Sequence, residues 1–319
     1  ELYALQGYAE ILLADFFCSG VPLSTLDFQK DYTYHAGSTT DSVYWDALNK
    51  LDIAVTLAKS SDSVGLQDLA LVLKGRAFLA LGQYDSAAAA VTVVPIKYTD
   101  SLDVIFLQEV GNSEENLFFG QGIANLKGVY GLPFLSSGDP RTAGDTVMSY
   151  EQLTGKEVTE VLPKIYVQQN NGSAYATFVV ASGIEARLIQ AEAALHDNPN
   201  DGKWVDILND LRATAPVPGT TQPATAQQLP MLSDPGTSPN EAARVSLLFR
   251  ERAFWLFVTA HRQGDLRRLV REYGLNQNRV YPSGEYSYGV SFGSDVSAPI
   301  PGDEYINPLF KGCLGRRDL

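Results

Sequence analysis

Apolar residues recur three and four positions apart along successive stretches of this 319-residue chain, and that spacing is one face of an α-helix. Leu2, Leu5, Ala9, Leu12 and Phe16 mark a first helix that should stop at Ser19-Gly20-Val21-Pro22. A second starts after Asp41-Ser42, whose side-chain oxygens suit an N-cap, and runs on Tyr44, Leu48, Leu51, Val55 and Ala58. Leu66, Leu69, Leu73, Ala77 and Ala80 give a third, closing at Gly82. The period returns at Ile184, Leu188, Ala191 and Leu195, then at Trp204, Leu208 and Leu211, with the turn formers of 197–202 between them: a helical hairpin. One further helix is expected from Glu241 to Tyr273, apolar on every side at 253–258 and charged in its second half.

Elsewhere the helical period is lost. Between about Val93 and Lys164 short apolar pieces are broken by Gly, Asn, Ser and Asp-Pro turns, which predicts irregular structure with a few strands. The segment 213–240 is rich in Pro, Thr, Ala and Gln and reads as a long surface loop; 281–319 is rich in Gly, Ser, Pro and Tyr. Leu79-Ala80-Leu81-Gly82-Gln83-Tyr84 followed by Ala87 fits the Leu-Gly-x-x-Tyr and small-residue positions of a tetratricopeptide repeat. Each such hairpin must stack on a neighbour to bury its face. The expected fold is mostly α: tetratricopeptide-like helical hairpins packed against an irregular, loop-rich layer with few short strands. It forms one unit over 1–319, with the scaffold mainly in 1–92, 182–212 and 241–273, and loop-rich parts in 93–181, 213–240 and 274–319.

Charge and motifs exclude several functions. Lys and Arg total 24 against 37 Asp and Glu, a formal charge of −13, so a phosphate backbone meets net repulsion and nucleic acid is not expected as a partner. No run approaches the ~20 apolar residues of a membrane helix. The three histidines, His35, His196 and His261, lack zinc-ligand spacing, and neither a Walker loop, a GxGxxG turn nor a GxSxG elbow occurs, so no cofactor, metal or catalytic residue is assigned. Asp197, Asp201 and Gly202 belong to a turn, because Pro199 stands where a calcium loop needs a ligand. Arg262, Arg267, Arg268 and Arg271 could clamp an anion, but the favoured reading makes them partners of a helix end and nearby carboxylates. Cys18 and Cys313 are too few for a disulfide scaffold; they are either bonded to each other or, the favoured reading, two buried or unpaired thiols.

Longer motifs then fall in order. Leu247-Leu248-Phe249-Arg250-Glu251-Arg252 through His261-Arg262-Gln263-Gly264-Asp265-Leu266-Arg267-Arg268 resembles the SusD/RagB signature in which an ERxxEL helix runs into EGxRxxDLxR. Ser19-Gly20-Val21-Pro22-Leu23 is similar to that family's FGxVPL, 112–119 to its NSxEIIF segment, and Asp139-Pro140-Arg141 to its D-x-R. Ile184 to Ala193 is similar to its alanine- and glutamate-rich helix, Ile207 to Arg212 to its LNxxR, and Pro299-Ile300-Pro301 with Glu304 and Asn307-Pro308 to its closing PIPxxE and NP. Trp255 and Thr259 replace the signature's two glutamates, Ala260 its glycine and Gln263 its usual aromatic, the marks of a divergent member.

The resemblance implies a surface-exposed lipoprotein of the outer membrane that captures nutrient ligands without catalysis and delivers them to a SusC-like TonB-dependent transporter. The ligand would be an oligosaccharide or peptide. The lipid anchor and leader are expected before Glu1, outside this chain. Sugars are held by flat rings stacked on their C–H faces beside amides and carboxylates. Loop aromatics are the candidates: Tyr32 and Tyr34 with Asp31, Tyr130, Tyr281, Tyr286, Tyr288 and Phe292. Two other readings stand beside this one. A tetratricopeptide-type scaffold for proteins or peptides would leave the C-terminal segment unpacked, and a glycosidase would need two convergent carboxylates with separated pKa values in a cleft.

Overall fold

The structure, a computed structural model, describes residues 1–27, 32–105, 134, 137–142, 144–151, 156–163, 175–218, 220, 222–225, 228–236, 241–286 and 290–314. Helices dominate in chain order: α1 (Leu2–Phe16), α2 (Thr40–Ser60), α3 (Val64–Ala80), α4 (Tyr84–Val91), α5 (Gly183–Asp197), α6 (Lys203–Thr214), α7 (Glu241–Trp255), α8 (Arg262–Arg271) and the short α9 (Gln277–Val280). The mostly helical class is as expected, and α3–α4 and α5–α6 are the two hairpins that the repeat spacing marked. The segment 112–119 lies outside the described residues.

Several local expectations need correction. The α1 stripe points the wrong way: Leu2 is 83% exposed, while the helix buries Ala4, Tyr8, Ile11 and Ala14 together with Glu10 and Asp15. Asp15 is kept inside by the Tyr44 hydroxyl, which donates to it at 2.5 Å, so polar partners and not hydropathy set the face. The N-cap of α2 is Thr39, whose Oγ1 accepts from the Ser42 backbone at 3.2 Å. The helix expected over 241–273 is two helices. Val258 and Ala260 take φ of 61° and 62°, left-handed values that break the backbone between α7 and α8. The few strands expected in the loop-rich part are present: β5 (Thr99–Ile105) pairs antiparallel with β8 (Tyr175–Ser182), and β6 (Gly144–Glu151) with β7 (Lys156–Pro163). Cys18 and Cys313 are bonded, with Cα atoms 5.7 Å apart, against the favoured reading of two thiols.

Two apolar cores meet on α5. Ala186, Ile189 and Ala193 face the first, built with α1–α4; Leu188, Ala191 and Leu195 face the second, with Trp204, Leu208 and Leu211 of α6 and Leu248 and Phe249 of α7. Each large apolar side chain so buried contributes about 1.5–3 kcal/mol. Strand β8 runs directly into α5. The Ser182 hydroxyl caps the helix by accepting from Glu185 N at 3.2 Å, and Gly183 approaches Pro95 O so closely that a Cβ would sit 2.1 Å from it. The loop after α6 is pinned: the Asn209 amide exchanges bonds with Leu232 N (2.7 Å) and O (3.1 Å), and Leu229 is buried in the second core.

Between the cores lies a chain of buried ion pairs made from the motif residues. Arg76 of α3 donates to both Glu185 oxygens at 2.7 Å, and His261 Nε2 lies 3.0 Å from the same carboxylate. Arg268 forks onto Glu192 (3.1 and 2.9 Å) and reaches Asp265 (3.0 Å), which also accepts from Arg252 (3.1 and 2.9 Å). Glu251 accepts from Arg141 at 2.7 Å and Arg212 at 2.6 Å, and Arg141 also grips Asp139 at 2.9 and 2.7 Å. Burial pushes the Glu185 carboxyl up, but Arg76 and then His261 outweigh it and hold it at about 2. Burial likewise opposes ionisation of Asp265, and Arg252 and Arg268 overcome it, so its pKa lies well below the usual carboxylate range. Arg267 donates to the carbonyls of Ala14 (2.5 Å), Asp15 and Phe17 (both 3.1 Å), closing the C-terminal end of α1.

Candidate functional site

The chain between α1 and α2 is a two-storey antiparallel hairpin. Near its base β1 (Val21–Pro22) pairs with β4 (Gly37–Ser38); above it β2 (Thr25–Leu26) pairs with β3 (Tyr32–Thr33). So short a hairpin is marginal by itself. It is braced from the C-terminal segment: Cys18 is bonded to Cys313, Leu314 N donates to Ser19 O at 2.7 Å, and the buried Asn307 amide donates to His35 O at 2.9 Å. His35 is fixed again by its backbone N–H on Ser24 Oγ (3.2 Å) and its Nδ1 against Leu23 O (2.8 Å). Gly37 has no room for a side chain, since a Cβ there would lie 2.2 Å from Gly20 O.

On this braced arm the rings of Tyr32 and Tyr34 lie near-parallel, 18° apart in plane, with centroids separated by 6.0 Å. Tyr32 is 62% exposed and Tyr34 half-buried, so one ring supports the other and leaves a face to solvent. The Asn307–His35 bond sets the 3-10 turn Gly302–Ile306 beside this arm. That turn carries Tyr305, 74% exposed and edge-on to Phe310 at 5.5 Å, together with the carboxylates of Asp303 and Glu304. Flat exposed rings and carboxylates are the elements from which sugar-binding surfaces are built. Tyr305 does not stand out in the sequence because the closing PIPxxE segment reads as a structural motif; the signal available is its place directly after Asp303-Glu304, behind the Pro299-Ile300-Pro301 turn.

Three other expected residues lie in the C-terminal part of the chain. Tyr281 is half-buried against the second core, and burial raises its hydroxyl to about 12. Tyr286 lies in β9 (Glu285–Tyr286), paired with Val290 of β10 (Val290–Ser291). Phe292 is 38% exposed, its backbone N–H on Gly284 O at 2.9 Å. The stretch after them is tied to α9 by Gln277 Nε2, which donates to Ser294 O at 3.1 Å. Tyr130, Tyr288 and Asp31 lie outside the described residues.

Among the described residues no group of three or more His, Cys, Asp or Glu is placed to hold a metal ion, and no helix is long and apolar enough to cross a membrane. Glu10 is raised to about 7, first by burial and then by Asp46. It lies buried between α1 and α2, with Gln6 Nε2 donating to it at 3.2 Å, and not at the tyrosine arm.

No family model and no curated protein matches this sequence. Solved structures do match. A SusD-like protein from Bacteroides fragilis NCTC 9343 is 15% identical, with a TM-score of 0.56 over 98% of this chain and 80% of its own. Surface glycan-binding protein A from Bacteroides uniformis is also 15% identical, with a TM-score of 0.58 over 98% of this chain and 76% of its own. At that identity the likeness is one of fold, and it extends over nearly the whole chain.

Proposed function

We propose, from this SusD-like fold, that the protein captures oligosaccharides without a chemical step, at the outer-membrane surface, and hands them to a SusC-like TonB-dependent transporter. The observation that carries the reading is the stacked Tyr32–Tyr34 pair held out on a hairpin that the C-terminal segment braces. A pre-set pair of rings binds a pyranose face with little ordering cost, which is where the affinity of a small site comes from. The glycan-binding neighbour supports a carbohydrate ligand. The Cys18–Cys313 bond supports an oxidising compartment outside the cytosol.

Two alternatives are less well supported. A tetratricopeptide-type scaffold for peptides needs no packed C-terminal segment, whereas here that segment is bonded to the hairpin base. For a glycosidase, a raised carboxyl and an ionised one must converge in a cleft. The buried carboxylates Glu185, Glu251 and Asp265 are instead held ionised by arginines, and Glu10 lies in a helix interface.

Substituting Tyr32→Ala or Tyr305→Ala tests the site. Calorimetry with a bound neutral oligosaccharide is expected to show affinity about tenfold weaker or worse, equivalent to about 1.4 kcal/mol, with an unchanged melting temperature. Affinities equal to the parent for both variants would remove the site from this surface.

A further inference from the structure

A second surface feature has chemistry of a different kind. Helices α7 and α8 and the short α9 enclose a cleft of about 260 Å³ whose lining includes Arg250, Arg262 and Arg279 beside Phe134, Phe249 and Phe254. Arg250 and Phe254 share one face of α7 at helical spacing, with the guanidinium 5.3 Å over the ring. Arg262 enters from the first turn of α8 and Arg279 from α9, so three separate elements each send one cation to the same place.

Among the described residues these three arginines lack carboxylate partners, as do Arg187 and Arg267, which donate instead to Gln190 and to backbone carbonyls. Arg76, Arg141, Arg212, Arg244, Arg252 and Arg268 each pair with a carboxylate within 3.1 Å. Among the described residues, Arg250, Arg262 and Arg279 form no ion pair, and no Asp or Glu lines the cleft. Arg262, like Arg250 and Arg279, is exposed to solvent. In a chain of formal charge −13, three cations left together beside buried rings are a local reversal of sign.

We infer that this cleft is a second ligand site, for the carboxylate of an acidic sugar such as a uronate. Guanidinium groups present paired N–H donors that match a carboxylate, and the half-buried Ala253, Leu275 and Val280 offer the sugar ring an apolar wall. The volume is below the ~300–1,000 Å³ typical of drug-sized sites, which suits one sugar ring and not a chain of them. The site is independent of the tyrosine arm, so a capture protein with both would take charged glycans by two points and neutral ones by one.

The test is calorimetric titration of the full chain with D-glucuronate, D-glucose and inorganic phosphate, repeated on R250Q/R279Q and on Y32A. Arg250 and Arg279 are exposed, so their replacement should leave the thermal unfolding curve in place. Glucuronate should bind the parent and Y32A alike and weaken about tenfold or more in R250Q/R279Q, with glucose silent at the cleft. No binding of glucuronate, or binding that R250Q/R279Q leaves unchanged, would overturn the proposal. Phosphate binding as tightly as glucuronate and displacing it would overturn the assignment to a sugar. Loss of neutral-oligosaccharide binding in Y32A concerns the other site and leaves this result standing.

Discussion

At the scale of single residues, most of the buried charged motif positions serve one purpose: they bring opposite charges together where water cannot reach. Glu251 is fully buried and accepts from two arginines, Arg141 and Arg212, contributed by distant parts of the chain. Removing one partner of a buried pair leaves the others uncompensated, so Glu251→Gln should cost about 3–5 kcal/mol, read from urea unfolding. Glu185 gives a pH signature. Its carboxyl is held at about 2 against an ordinary 4.5, so its contribution is full above pH 4.5 and is lost as the pH falls toward 2. Glu185→Gln should therefore lower stability at neutral pH and flatten the acid limb between those values; an unchanged acid limb would show that other carboxylates control it. The sequence displayed these residues as motif letters, and their role as structural contacts was legible for His261 and for Arg267 and Arg268. Their pairing was not, because Arg141 and Glu251 stand 110 positions apart and no local spacing reports a contact made through the fold.

At the scale of elements, periodicity located helices well and their buried faces less well. The stripe on α2 is the buried one, whereas α1 turns Asp15 and Glu10 inward because Tyr44, Gln6 and the α8 arginines are there to meet them. The break between α7 and α8 carries no Gly or Pro, so nothing local announced it. Ala260 stands where the family signature has glycine, and its φ of 62° is the conformation that glycine adopts without strain. Ala260→Gly should raise stability by about 1 kcal/mol in urea unfolding; a loss would mean that the methyl group packs for more than the strain costs. The disulfide joins the hairpin base to the C-terminal segment across 295 positions. Replacing both cysteines by serine should cost about 2–4 kcal/mol and expose the segment near Tyr305 to limited proteolysis sooner than the helices.

At the scale of the whole molecule, the scaffold is a stack of helical hairpins sharing α5, and the ion-pair chain locks the late helices α7 and α8 onto the early ones. The proposed binding surface lies outside that scaffold, on segments it braces. The helical class was readable from apolar spacing, and the likeness to the SusD-like fold from motifs in order. The tyrosine arm was readable only as aromatic residues in a loop, since stacking and bracing are products of the folded chain. The central claim is that this protein binds glycans and leaves them intact. Calorimetry of the full chain against a panel of oligosaccharides, with release of reducing ends assayed on the same samples, tests it most directly. Binding of at least one glycan with no new reducing ends is the predicted result; reducing ends that accumulate with time, or a panel that gives no heat while a peptide does, would contradict it.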